Sequence, residues 1–443
     1  MKASRWGSAM LASLLCVVSP FVYAQDMLWR FVVQKDAETT TGRHTALLSN
    51  GDWIVGGQTG TMNNVRDFIV FRIAASDGAV TWSRRFDCGG TGENINDLIV
   101  DPATNTIYVA GRSSVTGQAL NWCVMKFNAD GTNAWTSAYT YNHTQNANDE
   151  PRALALVQDG ATKNLAVVGQ ISTTSGTGGR VVKLNASTGA LLWAVNHEAQ
   201  FQQYWNVDTA SNGDIYAVGD TNGSNACIVT KFNVAGTQLW SVSSTGPGAT
   251  GLHNFSNAVI EPTSGDLIAS GFAQGSGNNN DISIARFKSS DGTRLWHTLI
   301  NGPANLADGG QAISLDSTHA YIGTGIYRVG STGSDWFIAR LSLSNGLYDA
   351  ANNGWSATFT GDDATSNDQL SALKVIGSTV YASGGLRDIT PGRVLTTLKL
   401  NATTGATINR TSFRDRIGPQ QVGFKSMQIT SSGDMLIAGN WCG

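Results

Sequence analysis

A tryptophan returns seven times along the chain at steps of 47 to 59 residues: Trp29, Trp82, Trp135, Trp193, Trp240, Trp296 and Trp355. Ile408 keeps the spacing and loses the ring. A second signature follows six of these tryptophans by 26 to 34 residues, a short apolar run ending at Gly. Its copies are IVGG (54–57), YVAG (108–111), AVVG (166–169), YAVG (216–219), IASG (268–271) and YASG (381–384). Self-similarity at a fixed period constrains the whole architecture, because each unit must bury its apolar face against the next.

Within one unit, an alternating run ends in Lys or Arg followed by an apolar residue, as in Lys126-Phe127, Lys183-Leu184, Lys231-Phe232, Arg286-Phe287, Arg340-Leu341 and Lys399-Leu400. A Gly-containing turn comes next, then the strand that carries Trp; this is a hairpin pattern. The second half is another hairpin, turned at Asp159-Gly160 or Asn212-Gly213. Asn-Gly and Asp-Gly provide the positive-φ positions that tight hairpins need. Four strands per unit with no helical period predict an all-β chain, a β-propeller of four-stranded blades. A solenoid competes poorly, since β-helix coils are shorter than this repeat. The strand count is 31, one short of eight blades. Eight blades closed by pairing the Trp29 strand with strands at 424–430 and 434–440 is the expected ring. Seven blades with a loose N-terminal segment is the alternative. The repeated Trp set is expected to wedge between blades, each ring burying roughly 150–250 Å².

Residues 1–24 read as a bacterial signal peptide outside the folded unit. Lys2 and Arg5 precede an apolar core at 9–18, and Val22-Tyr23-Ala24 is a cleavage site. Leu15 before Cys16 matches a lipobox poorly. The apolar run is too short to span a bilayer, and no later run approaches that length. A single propeller domain, residues 25–443, is therefore expected to be secreted or periplasmic and monomeric. It carries 27 basic and 32 acidic residues, net −5, with no basic block; this argues against nucleic acid. Cys88, Cys123, Cys227 and Cys442 remain, and three full pairings stay open. No C-x-x-C spacing suggests a metal site.

The run Val181-Val-Lys-Leu-Asn-Ala-Ser-Thr-Gly-Ala-Leu-Leu-Trp193 resembles the tryptophan-docking motif of pyrroloquinoline-quinone (PQQ) dehydrogenase-like propellers, which have eight blades. The longer frame is similar to the exported bacterial β-propeller repeat of SBBP type. The resemblance covers nearly all of 28–439 and implies a fold rather than an activity. PQQ itself is not expected, because the adjacent Cys-Cys pair of the quinone enzymes is missing. No other cofactor is expected. Asp362-Asp363 could contribute to a Ca²⁺ site but falls short of the six or more oxygens such a site uses.

The turns inside hairpins are short, whereas the connections at 58–66, 139–152, 196–205, 245–257, 386–392 and elsewhere are long and irregular. Binding residues are expected on that variable-loop face, over the central channel. The candidates are Trp205, Tyr204, His143, Arg152, His253 and Arg387, with Asp149, Glu150, His197, Glu198, Asp308, Arg414, Asp415 and Arg416 nearby in the loops. Trp205 stands out because it lies outside the repeated Trp register. No nucleophile or metal motif is present, so no catalytic residue is named. The expected role is a binding or scaffold module for a protein or glycan. The rival reading is an exported carbohydrate-active or quinone-dependent enzyme with its site at the channel mouth.

Overall fold

The computed structural model describes residues 11–18, 27–34, 39–60, 66–198, 202–221, 226–246, 251–274, 279–304, 306, 308–327, 329, 333–361, 367–387, 393–413 and 422–441. The cleavage site, Asp362-Asp363, Arg414, Asp415, Arg416, Cys442 and the side chain of Trp29 lie outside the described residues. The named elements are strands, apart from one short 3-10 turn at Ala350–Asn352. Seven four-stranded antiparallel sheets are each drawn from four consecutive strands, over 39–86, 91–141, 150–197, 202–244, 253–300, 309–359 and 369–413. These are blades 1 to 7 of a β-propeller. Blade 4 shows the pattern, with Gln202–Thr209, Ile215–Thr221, Ala226–Phe232 and Gln238–Ser244 pairing in that order. Its two middle strands are almost wholly buried, while its last strand alternates exposed and half-buried residues, as an outermost strand must.

The ring differs from the expected one at its seam. Seven blades, not eight, have this construction. The remaining strands form a sheet of another make, in the order Met27–Gln34, Leu11–Val18, Met435–Trp441, Val422–Ile429. The Trp29 strand therefore does not pair directly with the C-terminal strands. Leu11–Val18 lies between them, with Cys16 opposite Ile437 on one side and Arg30 on the other. An open strand edge presents unpaired N–H and C=O groups, and the nearby apolar segment satisfies them. Side chains join the two ends of the chain here. Thr45 Oγ1 and Ser426 Oγ are 2.6 Å apart, and Gln428 Nε2 donates to the Thr45 carbonyl at 2.9 Å. Leu436 and Ala438 share a core with Trp53 and Val55 of blade 1. Met427 and Ile437 share another with Tyr381 and Leu395 of blade 7.

One latch recurs between successive blades. In blades 1 to 6 the ladder Trp donates its indole N–H to a carbonyl in the last hairpin turn of the next blade, five from the outer strand and Trp135 from the bend before it. The pairs are Trp82 to Ala129 (2.9 Å), Trp135 to Ala186 (3.0 Å), Trp193 to Val234 (3.1 Å), Trp240 to Ser289 (3.2 Å), Trp296 to Leu343 (2.8 Å) and Trp355 to Ala402 (2.9 Å). The first five carbonyls each accept a second bond, from Arg72, Lys126, Lys183, Lys231 and Arg286 at 2.7–3.0 Å. The repeated Lys or Arg thus has the same target as the Trp, and both lone pairs of the carbonyl are used. The turn glycine is required for close approach. At Gly236, φ is +87° and a Cβ would sit 2.6 Å from the Trp193 ring.

Of the cysteines, Cys88 and Cys123 form a disulfide, joining the segment after blade 1 to the third strand of blade 2. Cys227 is a buried free thiol.

The latch predicts unequal costs along the ladder. Trp296→Ala, at a ring only 9% exposed, should cost about 3–5 kcal/mol of stability in urea unfolding. The slot expected at Ile408 falls one residue later, since Asn409 pairs with Lys399 where Trp240 pairs with Lys231. Asn409→Ala, with no ring to lose, should stay within about 0.5 kcal/mol of the parent. Equal losses would contradict the latch.

Candidate binding site at the channel mouth

The first strand of each blade is the innermost, and each carries an extra residue against its partner strand at one shared level; the blade 2 strand has a second irregularity between Thr91 and Asn94. The inserted residues are Arg43, Asn96, Arg152, Trp205, Ser256, Gln311 and Ser371 in blades 1 to 7, and Lys425 in the seam sheet. A β-bulge breaks the two-residue alternation and re-aims a side chain. Here it sets one residue per sheet at the same level of the inner wall, at the end of the long loops.

The repeated apolar run ending at Gly explains how the bulge is accommodated. Its last Gly pairs with the residue just before the insertion: Gly57 with Gly42, Gly111 with Ile95, Gly169 with Pro151, Gly219 with Tyr204, Gly271 with Phe255 and Gly384 with Leu370. A Cβ at Gly219 would lie 1.8 Å from the Gln203 carbonyl oxygen, and one at Gly271 2.0 Å from that of Asn254. Blade 6 departs from the rule, pairing Thr324 with Gly310 of the inner strand. That is why the signature is missing from its sequence.

From this level a polar cluster spans blades 2 to 5. The Arg152 guanidinium lies 4.4 Å from the centre of the Trp205 ring, one bulge residue stacked on the next. Trp205 Nε1 donates to Asp220 Oδ2 at 3.0 Å, and Asn254 Nδ2 donates to the same oxygen at 2.9 Å. Glu150 pairs with Arg152 at 3.0 Å and also bonds Arg112. Asn96 Nδ2 donates to the Pro151 carbonyl at 2.7 Å. Burial pushes the Arg152 guanidinium down from its ordinary value, Glu150 opposes this, and Arg112 adds to it. Burial, then Arg112 and Arg66, do the same to Arg43. Three buried atoms in this region have no hydrogen-bond partner: Asp220 Oδ1, Arg112 Nε and Arg43 Nε. Buried polar atoms left unpaired cost free energy that a ligand can recover. Both signs are on offer within one cluster.

The sequence candidates fall into different places. Trp205 and Arg152 meet at the mouth. Tyr204 does not join them, because it precedes the bulge and points into the core between blades 3 and 4. It is 1% exposed and its hydroxyl is bonded to His197 Nδ1 at 2.6 Å and Thr230 Oγ1 at 3.0 Å. Its availability as a ligand contact is corrected on that ground. His143 sits in an outer loop with its backbone N–H on Asp149 and its ring 3.3 Å from Glu198. His253 is buried, 4% exposed, with burial lowering its basicity. The Arg387 backbone N–H donates to Asp368 Oδ1 at 2.6 Å. Missed from sequence were Arg112 and Asp220, both directly after the repeated Gly, where Gln58 and Gln170 also stand. A polar residue at that register was the available signal.

Asp149 and Asp308 are staples. Asp308 accepts from Gly302 N at 2.6 Å and Tyr327 N at 3.1 Å, and Asp149 binds two backbone N–H groups in the same way. Among the described residues no group of three or more His, Cys, Asp or Glu could hold a metal ion, and no helix is long and apolar enough to cross a membrane. A cavity of about 440 Å³ on the opposite face is lined by Asp214, Lys231 and Ser289, which the latch already uses.

A ring of four-stranded blades around a polar channel mouth defines a β-propeller. The family model described as outer membrane protein assembly factor BamB, of the PQQ_2 type, matches residues 121–367. The chain belongs to that family of PQQ-like repeat propellers. No curated protein matches it. Similar solved structures include Sqt1 from Chaetomium thermophilum, at TM-score 0.55 and 11% identity over 92% of this chain and 98% of that one. The same protein bound to the N-terminus of ribosomal protein L10 matches at TM-score 0.54 and 11% identity, over 90% and 97%. BamB from Moraxella catarrhalis matches at TM-score 0.48 and 11% identity, over 85% and 94%.

Two predictions follow from this geometry. Gly219→Ala should cost about 1–3 kcal/mol in urea unfolding, as overpacking against backbone does, and should shift the Trp205 fluorescence; an unchanged protein would contradict the bulge account. The second concerns pH. Burial raises Glu93 to about 7 and Asp97 and Asp308 to about 6. A raised group stabilises the fold below its ordinary value, and that contribution is lost as pH rises through the folded value. Glu261, held near 2 by hydrogen bonds from Thr263 and Ser264 against an opposing burial effect, and Asp52 and Asp101, lowered by their partners, act oppositely and lose their contribution as pH falls. His44 and His297, lowered to about 4 by burial, gain stability as pH rises from about 4 to 6.5 and oppose the raised carboxyls there. The Glu93 contribution is lost between roughly pH 4.5 and 7, so the thermal midpoint of Glu93→Gln should gain on the parent's across that window; a difference that stays constant with pH would contradict it.

Proposed function

We propose that this chain is an exported scaffold propeller that binds a segment of a protein partner at the mouth of its central channel. The exported form is residues 25–443, secreted or periplasmic and monomeric. The observation that carries the reading is the Arg152–Trp205–Asp220 cluster. It offers a cation, an aromatic edge and a carboxylate oxygen lacking a partner, within one patch. A polypeptide presents donors, acceptors and apolar side chains at that spacing. A sugar ring would need an open aromatic face, and Arg152 already covers one face of Trp205. Membership of the BamB-like family supports a scaffold role, and the Sqt1 neighbour is itself seen with the N-terminus of a protein.

The test uses the purified exported chain on arrays of immobilised 12-residue peptides and of glycans. Peptides should be retained, with Trp205→Ala and Arg152→Ala each weakening retention about tenfold or more, as loss of a desolvated cation–aromatic contact does. Retention of glycans alone, with the same sensitivity to Trp205→Ala, would overturn the reading in favour of a carbohydrate ligand.

A further inference from the structure

The seam sheet is finished by a segment that export would remove. Leu11–Val18 occupies the third-strand place, between Met435–Trp441 and Met27–Gln34. In blades 1 to 7 that place is filled by a strand ending in Lys or Arg and an apolar residue, and Leu-Ala-Ser-Leu-Leu-Cys-Val-Val has no such ending. Its register with Met435–Trp441 covers only Met435 to Ala438. The equivalent pairing in blade 4 runs from Ile215 to Thr221 without a break.

Two residues of blade 7 agree with this. In every earlier blade the outer Trp docks on the last hairpin turn of its neighbour. Asn409, paired with Lys399 as Trp240 is with Lys231, holds that position in blade 7; Ile408 just before it matches the exposed Leu239 and is 58% exposed. Lys399 is the register equivalent of Lys231, whose ammonium reaches the next blade's turn carbonyl. Lys399 is 8% exposed, and among the described residues no carbonyl or carboxylate accepts a hydrogen bond from it. It lies 5.4 Å from the centre of the Tyr381 ring. Both halves of the latch are thus undone where the turn of a seam hairpin would stand. The Trp29 strand does not fill the gap by sliding inward. Trp29 precedes Trp82 by 53 residues, the ladder spacing of an outer strand. A shift of one strand, about 4.8 Å, would take it off that position.

We propose that export opens a strand-addition site at Met435–Trp441, and that its occupant is an extended, largely apolar strand of a second protein. The proposal rests on the reading that residues 1–24 are removed. Leu11–Val18 shows the chemistry that fits: a short apolar strand whose backbone pairs antiparallel with the open edge. A carbonyl or carboxylate following that strand completes the Lys399 position. The site is separate from the channel mouth, since it uses the outer edge of the second seam strand.

The experiment takes the chain recovered after export and first measures its intact mass. A synthetic peptide of residues 10–19, with Cys16→Ser and a lysine tail for solubility, is then added; a control peptide carries Pro in place of Leu15. Hydrogen exchange is followed at 435–441 and at Leu267–Gln274 of blade 5. In the exported chain the slot-facing amides of 435–441 should exchange roughly 100-fold faster than those of blade 5. The peptide should slow them, and the Pro peptide should not. A chain starting at residue 25 whose 435–441 amides are already protected and indifferent to peptide overturns the proposal alone. An exported chain that keeps residues 1–24 overturns the leader reading and the open site together.

Discussion

A single carbonyl oxygen at each blade junction governs how this ring is held. It lies in the last hairpin turn of a blade and receives the indole N–H of the preceding blade's Trp. In five junctions it also receives a Lys or Arg. A four-stranded sheet has two apolar faces and cannot bury them alone, so the junction decides whether neighbouring blades stay in register. The indole supplies area as well as a donor, and the glycine beneath it removes the only side chain that would hold the ring away. The Lys or Arg then brings a charge that is balanced in its own blade, as Lys231 is by Asp214 at 2.8 Å. This tightens the turn without leaving an unpaired buried cation.

The inner end of each blade is organised by a different constraint. The bulge in the first strand leaves no room for two side chains in the pair just before it, so the apolar run ending at Gly supplies the bare position in most blades and Gly310 of the first strand supplies it in blade 6. The bulge residue is then free to vary, because nothing in the pairing depends on its identity. That is how one repeated framework presents Arg43, Asn96, Arg152 and Trp205 in successive blades. The repeat fixes the strand pairing, and the insertion leaves the residue at the mouth free to differ from blade to blade.

Much of this was legible in the sequence, and the illegible part has physical causes. The blade frame, its hairpins and the loop face could be read, because period-two runs and Gly turns are local signals. The latch partners could not, since Trp240 and Ser289 meet only after 49 residues of chain have folded into the next blade. Tyr204 and Trp205 are adjacent and looked equivalent, yet the bulge sends one into the core and the other to the wall. Asp220 escaped notice because its importance comes from Trp205 and Asn254 on neighbouring strands. The apolar run at 11–18 carries the marks of a leader and none of a blade strand. The structure pairs it, because an open strand edge accepts an apolar strand with little regard to sequence.

The central claim is that the bulge ring at the channel mouth is where this propeller meets a protein. Site-specific photocrosslinking tests it most directly. A photoreactive phenylalanine analogue is placed at Ser256, the bulge residue next to Trp205, and at Leu347 on the opposite face as the comparison. The account predicts crosslinks from position 256 to one contiguous stretch of a partner polypeptide, lost when Trp205 is changed to Ala. Crosslinks of equal yield from position 347, or a pattern at 256 indifferent to Trp205, would contradict it.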